Sequence, residues 1–292
     1  MKKPVTKIFV VLFAVLMVFL TACGTKEAKF LTKEEMQSIN APLTGVIVLE
    51  YDNAYCGAAK NELYNYRVTL TFELYYDKAP NTVANFVTMV RNEFYDTPDA
   101  GETEKTGYIV DTYNESKFLM GAKYYEMVTE EDTDTEDDII PEPEDTLLTV
   151  KPEYYIAGEF EENEWKLDDK SVNDIEFAPD VLYMNQLITG NFDSAYSQFG
   201  IMGNADSYAS YDGNYAAFGK ITRCTIERKL PKQTAYTQVG AYTASVVSRM
   251  LNQGGMQNLL TSEGRNDAIY ITKIFMESTD AVGNVKKIAV ED

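Results

Sequence analysis

The stretch Val68-Thr-Leu-Thr-Phe-Glu-Leu-Tyr-Tyr-Asp-Lys-Ala-Pro80-Asn-Thr-Val-Ala-Asn-Phe86 changes its hydrophobic period halfway along. Val68, Leu70, Phe72 and Leu74 alternate with Thr69, Thr71 and Glu73, the period-2 pattern of a strand with one buried face. Pro80 then stands where a helix can begin without its N–H, and Val83, Phe86, Val87 and Val90 recur on one helical stripe. Working outward, Val46, Val48 and an apolar run to Tyr51 give an earlier strand, ended by a polar turn through Cys56 and Gly57. Later come strand-like pieces at Tyr154 to Phe160, Asp180 to Met184, Gln198 to Met202 and Tyr215 to Ile221, separated by Gly and Asp turns. Val246, Val247, Met250 and Leu251 mark a second helix that stops at Gly254 and Gly255, and Ala268 to Met276 reads as a last strand. Many short strands with few helices predict a mainly β barrel or sandwich.

Composition narrows the function classes. The 292 residues carry 26 Lys and Arg against 46 Asp and Glu, a net charge of −20, which opposes nucleic acid because a phosphate backbone demands a cationic surface. Histidine is absent, so Ser-His-Asp and Cys-His catalysis, His-ligated zinc and imidazole switching are all excluded. Lys2, Lys3 and Lys7 precede the uncharged apolar run Ile8 to Leu20, which is short for a permanent span of about 20 residues and reads as a signal peptide over residues 1–22.

The run ends in Leu20-Thr-Ala-Cys23-Gly24, which resembles the bacterial lipobox. That resemblance implies acylation of Cys23 and a mature chain held on the extracytoplasmic face of the cell membrane. Losing residues 1–22 removes three Lys and no acid, so 23 basic against 46 acidic residues leave a mature charge of −23. Cys56 and Cys224 then allow one bridge or two free thiols. Residues 23–44 read as a membrane-proximal linker. From Glu126 to Asp145 there are 11 acids in 20 residues and no base, which reads as a solvated insertion. Asp132, Asp134 and Glu136 alternate as in an EF-hand loop, but Asp137 replaces the turn Gly and Pro143 replaces the last Glu.

The motifs, taken in order, resemble the cyclophilin family. The opening stretch followed by Phe94-Tyr-Asp96 is similar to the start of a cyclophilin. Tyr155-Ile-Ala-Gly-Glu-Phe160 resembles the segment before its central strands, Ser197-Gln198-Phe199 its S-Q-F-F, and Asp212-Gly213 to Phe218-Gly219-Lys220 its D-G-x-x-x-x-F-G-K turn. The resemblance implies a closed eight-stranded antiparallel barrel capped by two helices, over residues 45–280 with insertions at about 123–152 and 228–266 and a tail at 281–292. Phe199 and Phe218 are expected in its core.

It also implies cis/trans isomerisation of X-Pro bonds, with no cofactor or metal. No proton is transferred and no covalent bond breaks. The barrier of about 18 to 20 kcal/mol falls when amide resonance is weakened, which suits a chain without imidazole. The family's donor is an Arg in F-H-R, supported by a Gln in F-M-x-Q-G-G. Here Phe118-Leu119-Met120-Gly121-Ala122 fits the second motif with Gly121 for the Gln. Tyr113 stands five residues before Phe118, at the Arg position. A frame anchored on Tyr108 puts Val110 there instead, and neither frame supplies an Arg. The second Phe of S-Q-F-F is Gly200, and S-M-A-[NR] reads Tyr183-Met184-Asn185-Gln186.

Peptide contacts are expected at Phe118, Leu119, Gln186, Gln198, Tyr211 and Tyr215, with Tyr113 or Lys117 in place of the lost donor. The expected partners are proline-containing segments or unfolded secreted proteins, and no nucleic acid. Two other readings stay open: a non-catalytic module that binds such segments or a partner protein, and a solute- or cation-binding lipoprotein using the acidic loop.

Overall fold

The structure, a computed structural model, describes residues 39, 41–55, 62–97, 107–127, 145–165, 173–256 and 268–290. The signal peptide, Cys23, Cys56 and the core of the acidic segment lie outside the described residues.

Eight strands close into one antiparallel barrel, as the motif pattern implies. In chain order the strands are β1 (Leu43–Tyr55), β2 (Leu63–Leu74), β3 (Gly107–Tyr113), β4 (Lys117–Met127), β5 (Asp145–Thr149), β6 (Val181–Gln186), β7 (Ala195–Met202), β8 (Ala216–Lys229), β9 (Thr237–Tyr242) and β10 (Tyr270–Met276). The ring runs β2-β1-β10-β3-β4-β7-β6-β8, and β8 closes it on β2 from Asn65↔Lys229 to Leu74↔Gly219. The other two strands extend the ring beyond where β7 and β6 end: β5 continues along β4 and β9 along β8. Both expected insertions therefore contribute strands, and the second also contributes a helix. Tyr154 to Phe160 forms only isolated bridges, Tyr155 to Ile288 and Ile156 to Ala195.

The alternation read in β2 holds residue by residue: Val68, Leu70, Phe72 and Leu74 have no exposed surface. Helix α1 (Pro80–Arg91) starts at the proline and buries nearly its whole length. Its Phe86 ring plugs the barrel end, 5.8 Å from Phe72, 5.1 Å from Phe199 and 5.3 Å from Phe218, the first two edge to face. Such geometry is favoured by the ring quadrupoles. Phe199 and Phe218 are thus core residues, as expected. Helix α2 (Val246–Asn252) packs on β8. Among the described residues no helix is long and apolar enough to cross a membrane.

Neither helix has a side-chain cap of its own; each is capped by a carboxylate from a distant segment. Glu159 accepts the Asn81 N–H at 2.9 Å and the Thr82 N–H at 2.6 Å. Asp180 accepts the Ser245 N–H at 2.8 Å and the Val246 N–H at 2.6 Å. The first amides of a helix have no partner inside it, so these contacts fix where each helix sits on the barrel. The C-terminal segment is docked too. Asn81 exchanges two hydrogen bonds with the Lys286 backbone, Tyr76 accepts the Gly283 N–H at 2.9 Å, and Lys287 lies 4.0 Å over the Tyr154 ring. Cys224 is buried and free, and burial pushes its thiol up to about 12.

Candidate functional site

Strand pleating divides the motif residues between two faces. On β7, Phe199 and Ile201 join the barrel core, while Gln198, Gly200 and Met202 turn outward. On β6, Leu182 and Met184 point in and Val181 and Tyr183 point out. On β4, Phe118 and Met120 point in and Leu119 points out. Three adjacent strands, β4, β7 and β6, therefore present one outer face, and a second apolar cluster covers it.

That cluster is built on Tyr183, Phe177, Val181, Met202 and Ala217, with Leu119, Tyr208, Tyr211 and Tyr215 packed against it. The turn at Asp212 and Gly213 carries Tyr211 and Tyr215 onto the face. Asp212 accepts the Phe177 N–H at 2.9 Å, tying the segment before β6 to the same turn. The Tyr183 ring centroid lies 5.7 Å from Phe177, 5.6 Å from Tyr211 and 5.7 Å from Tyr215. Tyr183 has no exposed surface, and its ring fills the space above Gly200: a Cβ there would sit 2.4 Å from Cε1 and Cζ and 2.6 Å from the hydroxyl oxygen. The two departures from the motif, Tyr for Ser in β6 and Gly for Phe in β7, are one size exchange between paired positions, Tyr183↔Gly200.

Beside the cluster runs a polar line. The Asn185 side-chain amide donates to Gln198 Oε1 at 2.5 Å, and Gln198 Nε2 donates to Asp111 Oδ2 at 2.8 Å. Asp111 sits where the β3–β4 pairing slips, between Val110↔Met120 and Thr112↔Leu119, and the slip lets it reach Gln198 from two strands away. Burial pushes its carboxyl up, against the pull of Lys123 and the Gln198 bond. Gln186 donates to the Asn214 carbonyl at 2.7 Å, which ties β6 to the aromatic turn.

The structure brings Leu119, Gln186, Gln198, Tyr211 and Tyr215 to this outer face. Phe118 is placed otherwise: it has no exposed surface and lies in the barrel core, because β4 alternation sends it inward when Leu119 goes outward. Tyr113 is half-buried, its ring 6.1 Å from Phe118 at the base of the β3–β4 hairpin, and the β3 side chain that reaches Gln198 is Asp111. Lys117 lies 5.9 Å over the Tyr211 ring. Gly121, at the motif's Gln, has φ +89°, and a Cβ there would meet the Ser197 carbonyl at 2.7 Å and the Tyr95 ring at 2.8 Å. A side chain at that position is excluded by the backbone. Sequence reasoning missed Asp111, Tyr183 and Phe177 as parts of the site. The size exchange at 183 and 200 was the available signal, and it becomes legible only once the β6–β7 register is known.

A family model agrees with this architecture. The sequence model of the family described as cyclophilin type peptidyl-prolyl cis-trans isomerase matches residues 62–228, more than half of the chain. The chain belongs to that family, and its barrel is a cyclophilin-type peptidyl-prolyl isomerase domain. Among solved structures it is similar to a cyclophilin type peptidyl-prolyl cis-trans isomerase of Cryptosporidium parvum, at 15% identity and TM-score 0.38 over 82% of this chain and 99% of that one. It is also similar to a cyclophilin from Hirschia baltica (15%, 0.36, 86% and 83%) and to the Mimivirus cyclophilin (13%, 0.39, 84% and 94%). No curated protein matches the chain.

Proposed function

We propose that the chain is a lipid-anchored, extracytoplasmic prolyl isomerase of slow turnover, held to the membrane through Cys23 and acting on proline-containing segments of unfolded secreted proteins. Family membership supports the reaction class, and the Leu20-Thr-Ala-Cys23 run supports the anchor. The observation that carries the slow turnover is Asp111. The β3–β4 hairpin, residues 107–127, contains Lys117 and Lys123 and no Arg, and the side chain it delivers to Gln198 is a carboxylate. It accepts from Gln198 Nε2 and so places an acceptor where a twisting amide needs a donor. Loss of one preorganised donor typically costs about 10²- to 10³-fold in rate.

The burial of Tyr183 over Gly200 favours a second reading, a module that binds such segments without turning them over. NMR exchange spectroscopy on an X-Pro tetrapeptide series, with the mature protein in detergent, separates the two. Weak acceleration of cis/trans exchange is the expected result. Line broadening without acceleration would identify a binding module, and neither effect would leave only the fold. The anchor is tested separately: Cys23→Ala should move the protein out of the membrane fraction, and a mature N-terminus without acyl chains would overturn that part.

A further inference from the structure

The second cluster does more than cover the outer face. Tyr183 occupies the volume that a side chain at Gly200 would take, and Phe177, Tyr211 and Tyr215 hold it there by ring contact alone. Its hydroxyl is buried and has no hydrogen-bond partner among the described residues. A buried hydroxyl without a partner disfavours the state that buries it, because water would satisfy it outside. The ring is thus packed in but not tied in.

We propose that Tyr183 is the specificity-determining residue of this groove, a plug whose ring must swing out before a proline ring can enter. The proposal rests on the reading of this face as the peptide site. In the packed state the place beside Leu119 and Gly200 is full. The apparent affinity for an X-Pro segment is therefore reduced by the fraction of molecules whose plug is out. The unpaired hydroxyl sets that fraction from one side and the three aromatic contacts set it from the other. Because the plug comes from β6 and the vacancy from β7, the two positions are coupled: a ring on either strand can line the groove, and rings on both cannot be accommodated.

Two variants and one spectrum test this. Tyr183→Phe keeps the ring and removes the orphaned hydroxyl, so the plug stays in more firmly; peptide affinity and kcat/KM should fall roughly tenfold. Tyr183→Ser combined with Gly200→Phe removes the plug and lets a β7 ring line the groove without the clash that Gly200→Phe alone would meet; both quantities should rise, by on the order of tenfold. A fall in both variants would mean that Tyr183 itself grips the substrate, and no change in either would mean that it is inert packing; each result overturns the plug.

The spectrum keeps this separate from the isomerase reading. Tyr183 ring resonances, assigned by their loss in Tyr183→Phe, should shift in the wild type on titration with an X-Pro tetrapeptide. A shift without turnover supports the plug while the isomerase reading fails. Turnover with unmoved resonances overturns the plug and leaves that reading standing.

Discussion

Glu159 offers the sharpest test of how the barrel is held together, because one carboxylate is asked to do two opposed things. It has no exposed surface, which favours its neutral form, and it accepts both leading amides of α1, which favours its charge. Burial wins, and the carboxyl is pushed from the ordinary 4.5 up to about 7. A folded-state value above the unfolded one means that the folded protein binds the proton more tightly. The stability from this group is therefore fully present below pH 4.5 and is lost as pH rises through 7, an effect of about 3 kcal/mol in order of magnitude. Glu159→Gln removes the titration while keeping one acceptor for the helix. The stability of the wild type relative to this variant should fall by that amount between these two pH values and level off above. Asp96, Asp111 and Asp180 are also raised by burial, but they titrate in both proteins and cancel in the difference. Urea unfolding followed by fluorescence of Trp165, the single tryptophan and fully buried, reads it directly. A difference that stays flat with pH would refute the reasoning, since it would mean that the two amides outweigh burial and keep the carboxylate ionised throughout. Glu159→Leu, which does not titrate either, should cost about 2 to 5 kcal/mol below pH 4.5, because two buried N–H groups lose their acceptor, and that cost should show the same decline as pH rises through 7.

Other substitutions follow from the packing. Phe118→Ala should lower stability by about 3 to 5 kcal/mol in the same urea assay, as a cavity in the barrel core, and any loss of peptide binding should track unfolding rather than a lost contact. Gly200→Phe alone should destabilise by about 1 to 3 kcal/mol, since its Cβ would meet the Tyr183 ring at 2.4 Å, and Tyr183→Ser should relieve most of that cost in a double-mutant cycle. Gly121→Gln, which would restore the motif's glutamine, should lower the melting temperature without raising exchange rates, because φ +89° and the Ser197 carbonyl at 2.7 Å leave a side chain no place.

The parts of this molecule that were legible in the sequence are those fixed by local period and local turn chemistry. Phe72 and Leu74 alternate because β2 has one buried face. Pro80 starts α1 because a first-turn residue needs no N–H, and Phe218-Gly219-Lys220 follows a turn whose Asp212 and Gly213 recur with it. The less legible parts depend on pairing between distant segments. Glu159 and Asp180 cap helices 78 and 65 residues away in sequence, and nothing in their neighbourhoods announces it. Asp111 owes its place to a slip in β3–β4 pairing, which shifts a side chain to the face that simple alternation would deny it. Motif position puts Phe118 in the peptide groove, whereas the alternation of Phe118 and Met120 with Leu119 sends it into the barrel core.

The same distinction explains why the site departs from its family pattern while the barrel does not. Core positions are constrained by volume from all sides, so Phe86, Phe199 and Phe218 meet at 5.1 to 5.3 Å and any one of them depends on the others. On the outer face a lost ring at Gly200 can be replaced from the neighbouring strand, because cross-strand partners cover the same patch. Tyr183 keeps that patch filled, so the fold tolerates the exchange. What the exchange changes is the surface offered to a ligand: the ring over Gly200 comes from Tyr183 on β6, packed against Phe177, Tyr211 and Tyr215, and not from β7 itself. Stability is therefore indifferent to which strand supplies the ring, while access to the groove depends on it.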